Sequence, residues 1–380
     1  SYIDLESNPY WQLGKGANIE RFSSFSDFAG NDAYVFSSYS EPADRESFIF
    51  KMMWYDFLHS ITGKPSYNSE DHIIAEGDNR YSDEIKNLVR ADLWQGALHG
   101  RSMTSLWDFS THDYNNIYDT DSTNNYMFTT RPDVMETVAY TGMDLRKYSD
   151  LLEKFNTKAR DVAILYSQSS QMHVKLDGTE INGGNNPGAE YLRQMFNAYK
   201  GAVFAGARVG FVSENEPEKL SDYRILIVPA AEHITDNALT EIQKFINNNG
   251  IVVLANNCFV YDEYHNKKTV SLSGTVKLNA TGEEDYRLCV ENLLKDDQIR
   301  VTVVDNATNE LSKNVEWNYW TEDKKIYVSL MNYDDAENVS VFVNGEKLTH
   351  NRDLLSRRNV GESFVLNQFE PMLLETYLPS

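Results

Sequence analysis

GKPSYNSEDHII, residues 63–74, opens on a turn and ends on Glu70, Asp71 and His72. Pro65 disfavours helical geometry for Lys64 before it, so a new extended element begins here. The run KPSYNSE reads as a strand, and two carboxylates and an imidazole cluster where that strand should end. Buried without partners, such groups are costly. In α/β proteins, however, the loops beyond the carboxyl ends of parallel strands are where reactive groups gather, because the strands hold them rigidly around one opening.

The flanking segments supply the rest of a βα pattern. Upstream, DAYVFSSYS (residues 32–40) is a strand candidate, and RESFIFKMMWYDFLHSIT (residues 45–62) sets apolar residues at helical spacing. Downstream, SDEIKNLVRADLWQGALHG (residues 82–100) reads as a helix with Ser82 as cap and Gly100 as stop. SMTSLWDF (residues 102–109) is a third strand. A polar, Asp/Asn/Tyr-rich loop covers residues 110–125, and MDLRKYSDLLEKFNT (residues 143–157) is a helix.

A second region begins with ARDVAILYS (residues 159–167), a continuous apolar run of the kind buried on both faces in a parallel sheet. A Gly/Asn-rich loop leads to the helix AEYLRQMFNAYKGAVFAG. After it come the strands ARVGFVSE and YRILIVPAA, a helix capped by Thr235, and the strand GIVVLANN. This alternation predicts a doubly wound parallel sheet. From about Gln298 onward, short alternating runs and turn signals such as Asn344-Gly345 predict an antiparallel sandwich. The expected division is 1–157, 158–275 and 276–380.

Composition bounds the partners. Lys and Arg number 35 against 57 Asp and Glu, a net charge of −22. Such a chain repels polyanions, so neither nucleic acid nor an anionic membrane is an expected partner. No window approaches the ~18 uninterrupted apolar residues of a membrane span. The two cysteines, Cys258 and Cys289, are too few for a disulfide scaffold or a zinc site and say nothing about compartment. The chain begins at Ser1 without a signal-like segment or an initiator Met, so a soluble protein of either the cytoplasm or the exported space is expected. Neither cofactor nor metal is called for: His112 and Asp113 form one pair in the polar loop, which is no ligand set. The 23 Tyr and 6 Trp suit a sugar or aromatic ligand.

Three expected strands of the first region end in functional residue types: Tyr39, Glu70, and Trp107 with Asp108. A carboxylate, a tyrosine to hydrogen-bond it and an indole face for a sugar ring are the parts a retaining glycosidase needs. The segment GKPSYNSEDHI, followed by LWQGALHG and SMTSLWDF, resembles the end of the barrel in clan A glycoside hydrolases, and most closely the family 42 β-galactosidases. Residues 220–266 resemble that family's trimerisation domain, a flavodoxin-like or amidotransferase-like fold, and the terminal β domain fits as well.

The resemblance implies a (partial) (β/α)8 barrel over residues 1–157. Glu70 would be the nucleophile, Tyr39 the residue that orients it, and Trp107 the platform under the sugar, with His72 and Asp108 lining the mouth. It also implies a homotrimer and an oligo- or polysaccharide substrate. The acid/base that the clan carries after an Asn is missing. Glu6, in SYIDLESNPYWQL, precedes Ser-Asn-Pro and lies only 64 residues (70 − 6) before Glu70, so it is a weak candidate. A full barrel takes about 250 residues, so the chain reads as the C-terminal part of a larger enzyme whose N-terminal barrel segment is missing. The alternative is a carbohydrate-binding pseudoenzyme without the acid. A working amidotransferase would need a nucleophilic Cys at a Gly-flanked elbow, and Cys258 in NNCFVYD lacks one.

Overall fold

In the computed structural model, residues 18–33, 35, 43–74, 82–107, 131–172 and 190–378 are described. The short helix α1 (Ile19–Ser24) leads to β1 (Ala29–Asn31), α2 (Arg45–Thr62), β2 (Ser66–His72), α3 (Asp83–Leu98) and β3 (Arg101–Trp107). The three strands form one parallel sheet in the order β1-β2-β3. β1 precedes the run 32–40 expected as a strand, of which residues 34 and 36–40 lie outside the described residues. The helix expected over residues 143–157 is two, α4 (Pro132–Lys147) and α5 (Ser149–Thr157), meeting at Tyr148.

α2 and α3 start where the sequence offers an oxygen to an orphan backbone N–H. Asp44 Oδ1 accepts from the Ser47 amide at the head of α2, and Ser82 Oγ from the Ile85 amide at the head of α3. Gly63 ends α2 in the left-handed conformation, with φ of +63°, which turns the chain into β2. α2 is buried over most of its surface from Phe48 to Leu58, Lys51 and Asp56 included. One side meets the parallel strands; from another, Phe57 reaches Tyr166 and Phe211 of the next layer, with ring centroids 4.9 and 5.3 Å apart.

That layer holds β4 (Val162–Tyr166), α6 (Gln168–Met172), α7 (Glu190–Val203), β5 (Val209–Ser213), β6 (Ile225–Pro229), α8 (Asp236–Asn247), β7 (Ile251–Ala255), β8 (Val276–Leu278) and α9 (Glu283–Leu294). All five strands are parallel, in the order β5-β4-β6-β7-β8, which is the flavodoxin-like winding. Every residue of β4, β5 and β6 is buried, as expected of strands covered on both faces. β8 and α9 follow the division expected at residue 275, yet β8 hydrogen-bonds to β7 and α9 packs on α7, so both belong to this layer. Gly201 permits that packing: a Cβ there would stand 2.6 Å from the Glu283 carbonyl oxygen and 2.6 Å from Tyr286 Cβ.

The remaining strands are β9 (Val301–Asp305), β10 (Glu310–Leu311), β11 (Val315–Glu322), β12 (Lys325–Asn332), β13 (Glu337–Val343), β14 (Glu346–Lys347), β15 (Asn351–Asp353), β16 (Arg358–Val360), β17 (Phe364–Leu366) and β18 (Met372–Tyr377). They make two antiparallel sheets, β10-β9-β13-β14 with β17 on β13, and β11-β12-β18-β15-β16. Val303, Val341 and Val339 of one sheet pack on Trp317, Val328 and Leu374 of the other, the alternating inward residues of a sandwich. No helix among the described residues is long and apolar enough to cross a membrane.

Candidate active site at the end of the parallel strands

Strict alternation along β2 would put Glu70 on the same face as Ser66 and Asn68. It does not stay there. Between Asn68 and Asp71 the strand advances three residues while β3 advances two, from Thr104 to Leu106. This bulge reverses the alternation. Asn68 donates to Tyr55 Oη of α2 at 3.0 Å, and Asp71, three residues on, meets Lys51 of the same helix at 2.6 Å. Glu70 is thereby turned away from α2, toward His72. Its Oε1 lies 3.4 Å from His72 Nε2, and the Glu70 carboxylate is about one-third exposed while the imidazole is 3% exposed.

His72 pairs in register with Trp107 on β3, and their rings stack with centroids 6.0 Å apart and 22° between planes. Glu70 is thus linked through the buried His72 to Trp107 near the carboxyl ends of β2 and β3. Tyr39, Glu6 and Asp108 lie outside the described residues. Among the described residues no cluster of three or more His, Cys, Asp or Glu has the geometry to hold a metal ion.

Beneath the bulge sits an ionic cluster that sequence reasoning missed. Lys51 Nζ bridges Asp71 Oδ1 and Asp92 Oδ1 of α3, both at 2.6 Å, with all three side chains fully buried. Arg101 Nη1 reaches Asp71 Oδ2 at 2.6 Å, Tyr55 Oη at 3.2 Å and Asp92 Oδ2 at 3.3 Å. Gly96 leaves the space for it, since a Cβ there would stand 2.4 Å from Arg101 Cζ. Burial works against the charge on Asp71, but Lys51 and then Arg101 outweigh it and hold the carboxyl down to about 2. Burial likewise opposes the charge on Lys51, and Asp71 and Asp92 overcome it, holding the ammonium above its usual range. Asp92 is raised by burial and by the facing Asp71. The signal in the sequence was a lysine inside FIFKMMWYDF, at a position where helical spacing calls for an apolar residue.

A second buried cluster ties the three layers together at His99, the residue that caps α3. His99 Nδ1 is 2.7 Å from Asp56 Oδ2 of α2, and Nε2 is 3.0 Å from Glu316 Oε1 of β11. Asp56 also accepts from Arg160 at 2.8 Å and Tyr199 at 2.7 Å; Glu316 accepts from Tyr333 at 2.5 Å. Both ring nitrogens face carboxylates, so both donate, and the ring is an imidazolium. Burial favours proton loss, but Glu316 and Asp56 push the pKa up to about 10.

A group whose folded pKa is raised stabilises fully below its unfolded value and loses that contribution as pH rises through the folded one. Stability is therefore expected to fall between about pH 6.5 and 10, by up to ~1.4 kcal/mol per pH unit from this group. Asp56 has the opposite sign: burial opposes its charge, but His99 and Arg160 hold it below the usual carboxylate range, so its contribution is lost only on acidification. Thermal melts across pH 6 to 10 check this, and His99→Gln should remove the alkaline slope. A slope that persists in the variant would assign it to another group.

Cys258 carries no nucleophile's signature. Its Sγ donates to the Ala255 and Val228 carbonyl oxygens at 3.1 and 3.4 Å, and burial pushes the thiol up to about 12.

A parallel βα sheet ending in a carboxylate and a tryptophan, joined to a flavodoxin-like layer and a β-sandwich, is the class of fold in which the comparisons place the chain. Residues 160–343 match the family model described as the β-galactosidase trimerisation domain. The structure superposes on an apo exo-carrageenase GH42 from Bacteroides ovatus with a TM-score of 0.77 at 20% identity, covering 96% of this chain and 50% of that one. It also superposes on a GH42 β-galactosidase from G. stearothermophilus, with a TM-score of 0.68 at 14% identity, covering 94% of this chain and 61% of that one. For the β-galactosidase from Bacillus circulans sp. alkalophilus the values are 0.65, 12%, 94% and 61%. Residues 160–343 are thus similar to the β-galactosidase trimerisation domain, and the fold of the chain is similar to that of the GH42 structures. The chain spans about half to three-fifths of the length of these structures. No curated protein sequence matches it.

Proposed function

We propose that the chain is the C-terminal part of a retaining, β-galactosidase-like glycoside hydrolase, with Glu70 as its nucleophile. The observation that carries this is the bulge in β2, which takes Glu70 off the face bound to α2 and sets it beside His72, whose ring stacks on Trp107. Bulges next to active sites re-aim side chains in this way.

In this reading the Glu70 carboxylate attacks the anomeric carbon and forms a glycosyl ester, which water then hydrolyses. His72 holds the carboxylate in place through its Nε2 contact, and the Trp107 indole supports the apolar face of the ring. In the same reading Tyr39 would orient the nucleophile and Asp108 would bind sugar hydroxyls. The acid/base is a second carboxylate about 5 to 5.5 Å away, as retention requires, carried by barrel strands N-terminal to β1, for which Glu6 is a weak candidate. The substrate is a β-linked galactoside or a related plant or algal saccharide; the structural neighbours include both β-galactosidases and an exo-carrageenase. Residues 160–343 would bring copies of the chain into a trimer.

The test is to incubate the protein with a 2-deoxy-2-fluoro-β-galactoside bearing a dinitrophenolate leaving group and to sequence the labelled peptide by mass spectrometry. This leaving group departs without a proton, so the acid is not needed for the labelling step. A fluoroglycosyl ester on Glu70 is the expected result. Label on another carboxylate would overturn the assignment.

A further inference from the structure

A cleft of about 420 Å³ lies between the junction of α4 and α5 and one sheet of the sandwich. We propose that it binds an anionic sugar unit, one bearing a sulfate ester or a carboxylate. Its floor is set by the sheet: Tyr327, Glu375 and Arg352 are successive partners across β12, β18 and β15, so they stand in one row on one face. Lys147, Tyr148 and Arg357 line it as well.

The charges are unequally spent. Lys154 is paired with Glu322 at 2.6 Å and Glu375 with Lys325 at 2.9 Å. Among the described residues Lys147, Arg352 and Arg357 have no ion pair, against one lining carboxylate, Asp150, that also has none. Lys147 donates to the Tyr148 hydroxyl at 2.8 Å; on a chain of net charge −22, three cations without a carboxylate partner around one cleft select a local anion and not a long polyanion. Arginine's planar fork fits sulfate and carboxylate oxygens.

Two tyrosines give the site its second character. Tyr148 is fixed: its hydroxyl donates to the Leu354 carbonyl oxygen at 2.9 Å, and its ring packs edge-on against Trp94. Tyr327 is half-buried beside Glu375. Rigid aromatic bodies suit the apolar faces of pyranose rings, and Glu375 can accept from sugar hydroxyls. Fork, ring and acceptor together describe a charged sugar better than a bare phosphate, which would use only the cations.

The test is calorimetric titration of the protein with three probes: an oligosaccharide from a sulfated galactan, an oligogalacturonate, and a neutral galacto-oligosaccharide. One or both charged probes should bind, the arms showing whether sulfate or carboxylate is preferred, and the neutral probe should not. Arg352→Ala and Arg357→Ala, both at exposed positions, should each weaken binding about tenfold with circular dichroism unchanged. Added salt should weaken it further. Equal binding of the neutral probe, no binding of either charged one, or undiminished binding by the Arg352→Ala/Arg357→Ala double variant would each overturn the proposal. The outcome is independent of Glu70, whose role the fluoroglycoside label reads separately.

Discussion

On the proposed function, exchange of Glu70 for alanine should lower kcat/KM by about 10⁴-fold or more on any aryl β-glycoside that is turned over. The covalent path is lost, and without it the reaction needs a different nucleophile in the same place. Alanine leaves a gap beside His72, so azide or formate should enter it and restore part of the rate with an activated leaving group. The product then has the opposite anomeric configuration, because one displacement replaces two. Product stereochemistry is the discriminating measurement. A variant that keeps activity within tenfold, or is rescued without inversion, would show that Glu70 is not the attacking group.

How far the sequence disclosed this site depends on the kind of physics involved. Helix α2 was legible to the residue, because apolar spacing marks its body and the turn at Gly63 its end. The strands of the α/β layer were legible because burial on both faces leaves an unbroken apolar run. Strand β1 went unread, because three residues give too short a run to show alternation. The boundary at 275 reflected a similar weakness, since VKL in β8 is too short and too polar to announce a strand, and only pairing with β7 reveals it. Glu70 was singled out through an expected strand end, although β2 runs two residues further, to His72. The bulge that re-aims it was invisible, because it depends on how β3 pairs with β2. Lys51 and Asp92, 41 residues apart in sequence, could be joined only by the fold.

Replacing Lys51 by methionine should be the most damaging single change to stability, costing about 3 to 5 kcal/mol. Methionine matches the volume and helical propensity of lysine closely, so cavity and backbone effects are small. What remains is electrostatic: Asp71 and Asp92 would share one cation, Arg101, inside a fully buried site. One carboxylate must then take up a proton, and Asp92, already raised by burial and by Asp71, is the group to do so. A folded-state pKa raised above the unfolded value stabilises at low pH and loses its effect as pH rises through it. The variant should therefore be closest to wild type near pH 5 and furthest from it near pH 8. Adding Asp92→Asn removes the surplus charge, so the double variant should recover part of the loss at pH 8 and little at pH 5. Denaturant melts of the three proteins at both pH values measure this. A loss that is the same at both, and unrelieved by Asp92→Asn, would mean that packing rather than charge balance holds β2 against α2. The bulge beneath Glu70 would then owe its shape to side-chain volume alone.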